Sequence, residues 1–340
     1  MENLMVIGKG VAFFLLFFLL WIFQIPYSYA QGGKGQSILE GKIICIDPGH
    51  GGTAETDTYR VGPGGEREEW INLRVALILQ KMLEKAGSNV VMTRKSDDFV
   101  SLENRSELAR SHHADLFLSI HHNATADDNV NFPIIYFHGS ANENRASVRL
   151  GKLVNEKLIH YLFKGKGPSS LVSDYTIFPK SGASVLRGTY GIPGIIGEAT
   201  FFSHPGEENR LKKKMHNRNE AKAYFEAILG FFSYSNNPMI GEKVEPGQIP
   251  PFKVFQEADR MRPEALQWQI NYEKAKKLME SNDPMAMEEA MRLLTLSIRS
   301  FPDSYLAGNC HQLRVNILLK QGKAKEAEME AKRISSFYPD

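Results

Sequence analysis

"IICIDPGHGG", residues 43–52, joins two kinds of chain. Ile43 to Ile46 are apolar and β-leaning, the composition of a buried strand. Asp47-Pro48-Gly49-His50-Gly51-Gly52 follows, where a proline and three glycines end any regular element. The stretch reads as a strand that stops abruptly and presents one imidazole on a tight, bare turn. An imidazole held there needs partners from elsewhere in the chain.

Strands and helices alternate downstream of it. Residues 68–86 carry Ile71, Val75, Ile78 and Met82 at helical spacing, the stripe of a core-facing helix, and Gly87 follows as its stop. Strands are expected at 89–94, 115–122, 132–137 and 193–202, and helices at 102–113, 146–163 and 218–232. This order predicts an α/β domain over residues 38–234, an open and mostly parallel sheet flanked by helices. Residues 235–263 carry proline and glycine without periodicity and read as a linker. From 264 to 340 all is helical. Two segments there align at a constant offset, Ala290 with Ala327, Phe301 with Tyr338 and Pro302 with Pro339. That pattern is similar to a tetratricopeptide repeat, so an all-α helical-repeat domain is expected.

The chain has 340 residues, 42% hydrophobic and 24% charged, with a net charge of +2. Such a balance, with no long basic run, argues against a nucleic-acid partner. Cys45 and Cys310 lie far apart and have no metal-site spacing, so both read as buried apolar residues. Lys9, the apolar run "VAFFLLFFLLWIF" and the small residues Ser28 and Ala30 make residues 1–30 a secretory signal. Left uncleaved, the same segment would be the chain's one membrane contact. The expected place of work is periplasmic, cell-wall or extracellular.

Two of the strands end in histidine, at His50 and at His121 or His122, and a third carries Glu198 near its end. The carboxyl ends of parallel strands share one sheet edge, where ligand sites form. The helix that opens with Glu68 and Glu69 starts at that edge too. Two imidazoles and a carboxylate are a catalytic zinc set, and a further glutamate would serve as general base. Pattern alone leaves open the choice among Glu66, Glu68 and Glu69, and between His121 and His122. A histidine after a strand is more often a turn residue, and a glutamate at a helix start more often answers the helix dipole.

Five blocks narrow the choice: "IDPGHGG", "EEWINLRVALILQKMLEKAG", "VVMTRKSDDFVSLENRSELA", "ADLFLSIHHNA" and "VLRGTYGIPGIIGEATFFSHPGEENRL". In this order they resemble the zinc-dependent N-acetylmuramoyl-L-alanine amidases, the amidase_3 family, over roughly residues 42–233. The resemblance implies zinc ligands at His50, Glu68 and His121, and a catalytic glutamate at Glu198. It implies hydrolysis of the amide between N-acetylmuramic acid and L-alanine in peptidoglycan, without an occluding inserted helix and so without an activator. The rival readings are another zinc amide hydrolase of the wall and a non-catalytic wall-binding scaffold. His204 departs from the family, which usually has asparagine there, and residues 125–145 and 171–187 match it loosely. Arg94 and Arg105 read as partners of Asp97, Asp98 or Glu103. His138, His160, His216 and His311 have no partner at useful spacing. The helical tail is expected to recruit a protein partner or position the enzyme, and its removal to spare hydrolysis of soluble fragments.

Overall fold

The computed structural model describes residues 37–55, 59–233, 263–281, 283–302 and 304–338. The expected signal and almost all of the expected linker lie outside the described residues. Among the described residues no helix is long and apolar enough to cross a membrane.

Six strands form one sheet: β1 (Ile43–Pro48), β2 (Asn89–Met92), β3 (Leu116–Asn123), β4 (Ile134–Phe137), β5 (Ser170–Ser173) and β6 (Gly194–Phe201). Their spatial order is β2-β1-β3-β6-β4-β5. The pairs β1–β2, β1–β3, β3–β6 and β4–β5 are parallel, and β4 runs antiparallel to β6. The sheet is therefore mostly parallel, as the alternating pattern predicts. Its four-residue strand β5 escaped the sequence reading because "SLVS" is too short and too polar to show a period.

Strand alternation sorts side chains between two cores. Ile44, Ile46, Leu116, Leu118, Ile120, Ile135 and Ile195 join one cluster, covered by α1 (Glu68–Lys85), α3 (Arg145–Leu162) and α6 (Lys214–Phe232). Cys45, Phe117, Ile134, Tyr136 and Ile196 face the other way. On that side lie α2 (Leu102–Ser111), α4 (Ser184–Gly188) and a run of four helices, α7 (Gln267–Leu278), α8 (Pro284–Ser300), α9 (Ala307–Lys320) and α10 (Ala324–Phe337). These four pack in chain order, each against the next. The buried residues Trp268, Ala290, Leu294, Ile298 and Cys310 of this all-helical region belong to the same apolar cluster as Phe117 and Ile196 of the sheet. The second core thus runs from the sheet into the helical region.

Local chemistry sets the ends of these elements. Ser101 caps α2 by accepting from Asn104 N at 3.2 Å. Asp283 caps α8 ahead of Pro284 in its first turn. Gly87, at φ 92°, ends α1 as expected. The buried stripe of α1 follows Ile71, Val75, Leu79 and Leu83, whereas Ile78 and Met82 are only half-buried. A spacing of four drifts about 40° per step round a helix of 3.6 residues per turn, and α1 packs against both the sheet and α6, so its buried face is wide. Helix α5 (Pro205–Leu211) was not foreseen, although its start has a readable signal. His204 accepts from Glu207 N through Nδ1 at 3.2 Å, and Pro205 occupies the first turn. Capping is a job asparagine does well, which explains how His204 can stand at that position.

Candidate active site

Strands β1, β3 and β6 are adjacent and parallel, so their carboxyl ends meet at one edge. The register pairs Pro48 with Ile120 and His121 with Glu198. Helix α1 starts at the same edge and brings Glu68 with it. Among the described residues, His50, Glu68 and His121 form the one cluster able to hold a metal ion, their ligand atoms all within 4.8 Å of one another.

The turn that carries His50 is fixed from below. Asp47 is buried and accepts from Thr93 Oγ1 at 2.6 Å, Ser119 Oγ at 2.7 Å and Arg105 Nη1 at 2.7 Å. Burial opposes its charge, but the Arg105 guanidinium and the two hydroxyls hold the Asp47 carboxyl below the usual carboxylate range. Arg105 also donates to Pro48 O at 2.9 Å and His50 O at 2.7 Å. Arg94 donates to Pro48 O at 2.8 Å, Gly49 O at 2.8 Å and Glu69 O at 2.7 Å. Neither arginine pairs with the acids near it in sequence. Together they staple the turn, and His50 is held at φ 58°, a conformation that costs a non-glycine residue of order 1–3 kcal/mol. Gly49 has no room for a side chain: a Cβ there would sit 2.2 Å from the His121 ring.

The carboxylates and imidazoles left open by the sequence are separated by their neighbours. Glu66 pairs with Arg74 at 2.8 Å and Glu69 with Arg67 at 2.5 Å. Glu68 Oε1 instead lies 3.2 Å from His50 Nε2 and 3.0 Å from His121 Nδ1. Burial alone would raise its carboxyl, yet the two imidazoles hold it well below the usual range, so it is ionised. His122 points into the first core, where Nε2 lies 3.0 Å from Glu220 Oε2 and Nδ1 2.8 Å from Asn72 Oδ1. Asn72 Nδ2 in turn donates to Glu68 Oε1 at 3.2 Å and to Gly49 O at 3.2 Å. A chain of buried groups therefore runs from Glu220 through His122 and Asn72 to Glu68, orienting the carboxylate from behind.

The donor set suits a metal. Tetrahedral coordination with bonds of about 2.0–2.1 Å puts ligand atoms about 3.4 Å apart. The separations of 3.2 and 3.0 Å fall close to that. The two rings stand at 84°, centroids 4.7 Å apart, so their edges converge without stacking.

These residues open on a cavity of about 570 Å³. Glu198 lines it together with His50, Glu68 and His121. Ile177, Phe178 and the 181–185 loop also line it. Asp174 anchors that loop by accepting from Ala183 N at 2.7 Å, and it also pairs with His138 at 2.8 Å. His216 and His311 likewise have acidic partners, Glu207 at 2.8 Å and Glu330 at 2.7 Å. The sequence reading missed these pairs because the partners lie on other turns or helices. Both cysteines are buried and free, and burial pushes the Cys45 thiol up and the Cys310 thiol up to about 11, which leaves them inert. A last stretch of the cavity comes from the helical region: Trp268, Phe301, Arg333 and Tyr338 line it as well.

Comparison with known proteins agrees on the family. Residues 44–230 match the Amidase_3 family, N-acetylmuramoyl-L-alanine amidase. The probable cell wall amidase LytH of Staphylococcus aureus is 30% identical over 204 residues, 60% of this chain and 63% of that protein. The chain thus spans less than two thirds of that relative's length. Among solved structures, an N-acetylmuramoyl-L-alanine amidase from Clostridium difficile 630 superposes with a TM-score of 0.50 at 24% identity, covering 58% of this chain and 100% of that one. The CwlD amidase from Clostridioides difficile, solved in complex with the GerS lipoprotein, gives 0.50 and 24% over 57% and 99%. At that identity the likeness is one of fold.

Proposed function

The chain belongs to the N-acetylmuramoyl-L-alanine amidase family, and from that premise we propose that it is a zinc-dependent peptidoglycan hydrolase. It cleaves the amide between the lactyl group of N-acetylmuramic acid and L-alanine, releasing the stem peptide from the glycan. The observation that carries this reading is the convergence of His50, Glu68 and His121 beside Glu198 on one cavity.

His50 through Nε2, His121 through Nδ1 and ionised Glu68 would hold the ion. Zinc, when bound, supplies Lewis-acid polarisation of the scissile carbonyl and makes water nucleophilic near neutral pH. Glu198 accepts the proton of the attacking water. It then returns that proton to the nitrogen of L-alanine as the C–N bond breaks, so the peptide leaves as a neutral amine. The stapled turn under His50 and the Asn72–Glu68 hydrogen bond keep the donor atoms in place before any ion arrives. The substrate puts the site of action outside the cytoplasm, and a protein partner for the helical region remains part of this proposal.

Metal content of the purified chain, measured by elemental mass spectrometry beside muropeptide digestion, tests the reading. One zinc per chain and a free stem peptide are expected. Asn72→Ala removes the support behind Glu68 and is expected to weaken zinc binding about 10–100-fold, read by competition with a chelator. An unchanged affinity would mean that Asn72 does not orient the ligand.

A further inference from the structure

Phe99 is 72% exposed and Leu102 56%, and both line the cavity that holds His50, Glu68 and His121. A single exposed aromatic side chain on a surface needs no explanation. What sets Phe99 apart is how firmly its backbone is tied to the turn of His50. The two arginines that staple that turn also hold both ends of the Phe99 loop. Arg94 Nη1 donates to Ser96 O at 3.0 Å, and Arg105 Nε donates to Val100 O at 2.9 Å. Asp97 adds a third tie, accepting from Gly52 N at 2.9 Å and from Trp70 Nε1 at 2.8 Å. Gly51 and Gly52, at φ 122° and 72°, let the two segments touch. A Cβ on Gly51 would lie 2.5 Å from Asp98 O, and one on Gly52 2.4 Å from Phe99 N. Phe99 is therefore held at a fixed place beside a candidate metal ligand, with its side chain in solvent. A side chain on a backbone already ordered loses less entropy when a ligand covers it.

The charge around Phe99 narrows the choice of ligand. Lys95, Asp98 and Glu103 are exposed on the same stretch of chain and Asp97 is half-buried, so this rim is net negative. A peptide carboxylate would be repelled there. The glycan half of the proposed substrate is different. Its lactyl carboxyl is consumed in the amide, and its N-acetylated sugars are neutral. Their equatorial substituents leave C–H bonds over each ring face, an apolar surface that packs on an aromatic ring.

We propose that Phe99 is a platform for a sugar ring of the glycan half. This rests on the amidase reading and adds to it a saccharide-binding residue, and with it the half of the substrate that this part of the cavity takes.

The test uses the full, zinc-loaded chain and two substrates with the same peptide. One carries the disaccharide of N-acetylglucosamine and N-acetylmuramic acid, and the other carries a lactyl group alone. The wild type is expected to show a KM about tenfold lower for the disaccharide substrate, the effect of one aromatic contact and the apolar area it buries. In Phe99→Ala that difference collapses through the KM of the disaccharide substrate, whereas Phe99→Trp, which keeps a ring face, retains it. Equal KM values for the two substrates in the wild type, a comparison that needs no variant, would overturn the proposal. So would an undiminished difference in a folded Phe99→Ala. An equal rise in both KM values would also overturn it, because the peptide and not the sugar would then lie on Phe99. Calorimetric titration of N,N′-diacetylchitobiose, which has the sugar rings without the amide or a carboxylate, separates the two readings. Binding by the wild type that is lost in Phe99→Ala, in a chain that releases no stem peptide, would remove the amidase reading and leave the platform standing.

Discussion

Glu198→Gln is expected to lower the rate of stem-peptide release by about 100- to 10,000-fold, the usual worth of a positioned general acid–base. Glutamine keeps the shape of the side chain and its place in β6 but can neither accept nor return a proton. Because Glu198 is outside the His50–Glu68–His121 cluster, the variant is expected to keep its zinc. The two readouts together are diagnostic. Lost release with retained metal assigns the proton transfers to Glu198. Lost release with lost metal would make it a ligand or a structural residue. Retained release would move the general base elsewhere on the cavity wall.

The second large effect concerns stability. Asp47→Ala leaves the Arg105 guanidinium buried without its carboxylate and strips Thr93 and Ser119 of their acceptor. Breaking a buried ion pair from one side costs about 3–5 kcal/mol. For a domain of this size the expected fall in Tm is about 10 °C, read by calorimetry or circular dichroism. The pH dependence has a definite sign. The folded-state pKa of Asp47 is depressed, so its stabilisation is complete above the ordinary carboxylate value of about 3.9 and is lost as pH falls through the lower folded-state value. Wild type and variant are therefore expected to differ most near neutral pH and to converge in strong acid. A constant gap down to the acid limb would assign the loss to packing instead of charge. Zinc affinity should fall in step with stability, because the same arginine holds the carbonyl of His50 at 2.7 Å.

The sheet was readable because its central strands are long enough to show their composition, and because a parallel sheet forces their carboxyl ends to one edge. That rule alone brings His50, one of His121 and His122, and Glu198 together. Pattern alone left Glu68 and Glu69 open, since both begin the same helix; the family resemblance pointed to Glu68, and the two side chains diverge, Glu69 toward Arg67 and Glu68 toward His50 and His121. His121 and His122 are separated in the same way, His121 Nδ1 lying against Glu68 and His122 Nε2 against Glu220 in the first core. The roles of Arg94 and Arg105 were hidden because their acceptors are backbone carbonyls, which have no sequence signature, and, for Arg105, the carboxylate of Asp47, 58 residues away. The helical wall was hidden for a different reason. Packing of Phe301 on Phe178 depends on how a region outside the family match docks, and periodicity within that region says nothing about its neighbours.

The central claim is that this cavity hydrolyses the lactyl amide with a metal held by His50, Glu68 and His121. Mass spectrometry of the products formed from a disaccharide–peptide by the full, zinc-loaded chain tests it most directly, with a chelator-treated sample alongside. The expected result is an intact stem peptide with a free L-alanine amine, a disaccharide with a free lactyl carboxyl, and neither product after chelation until zinc is restored. Cleavage within the peptide, or the same products undiminished by the chelator, would contradict the account.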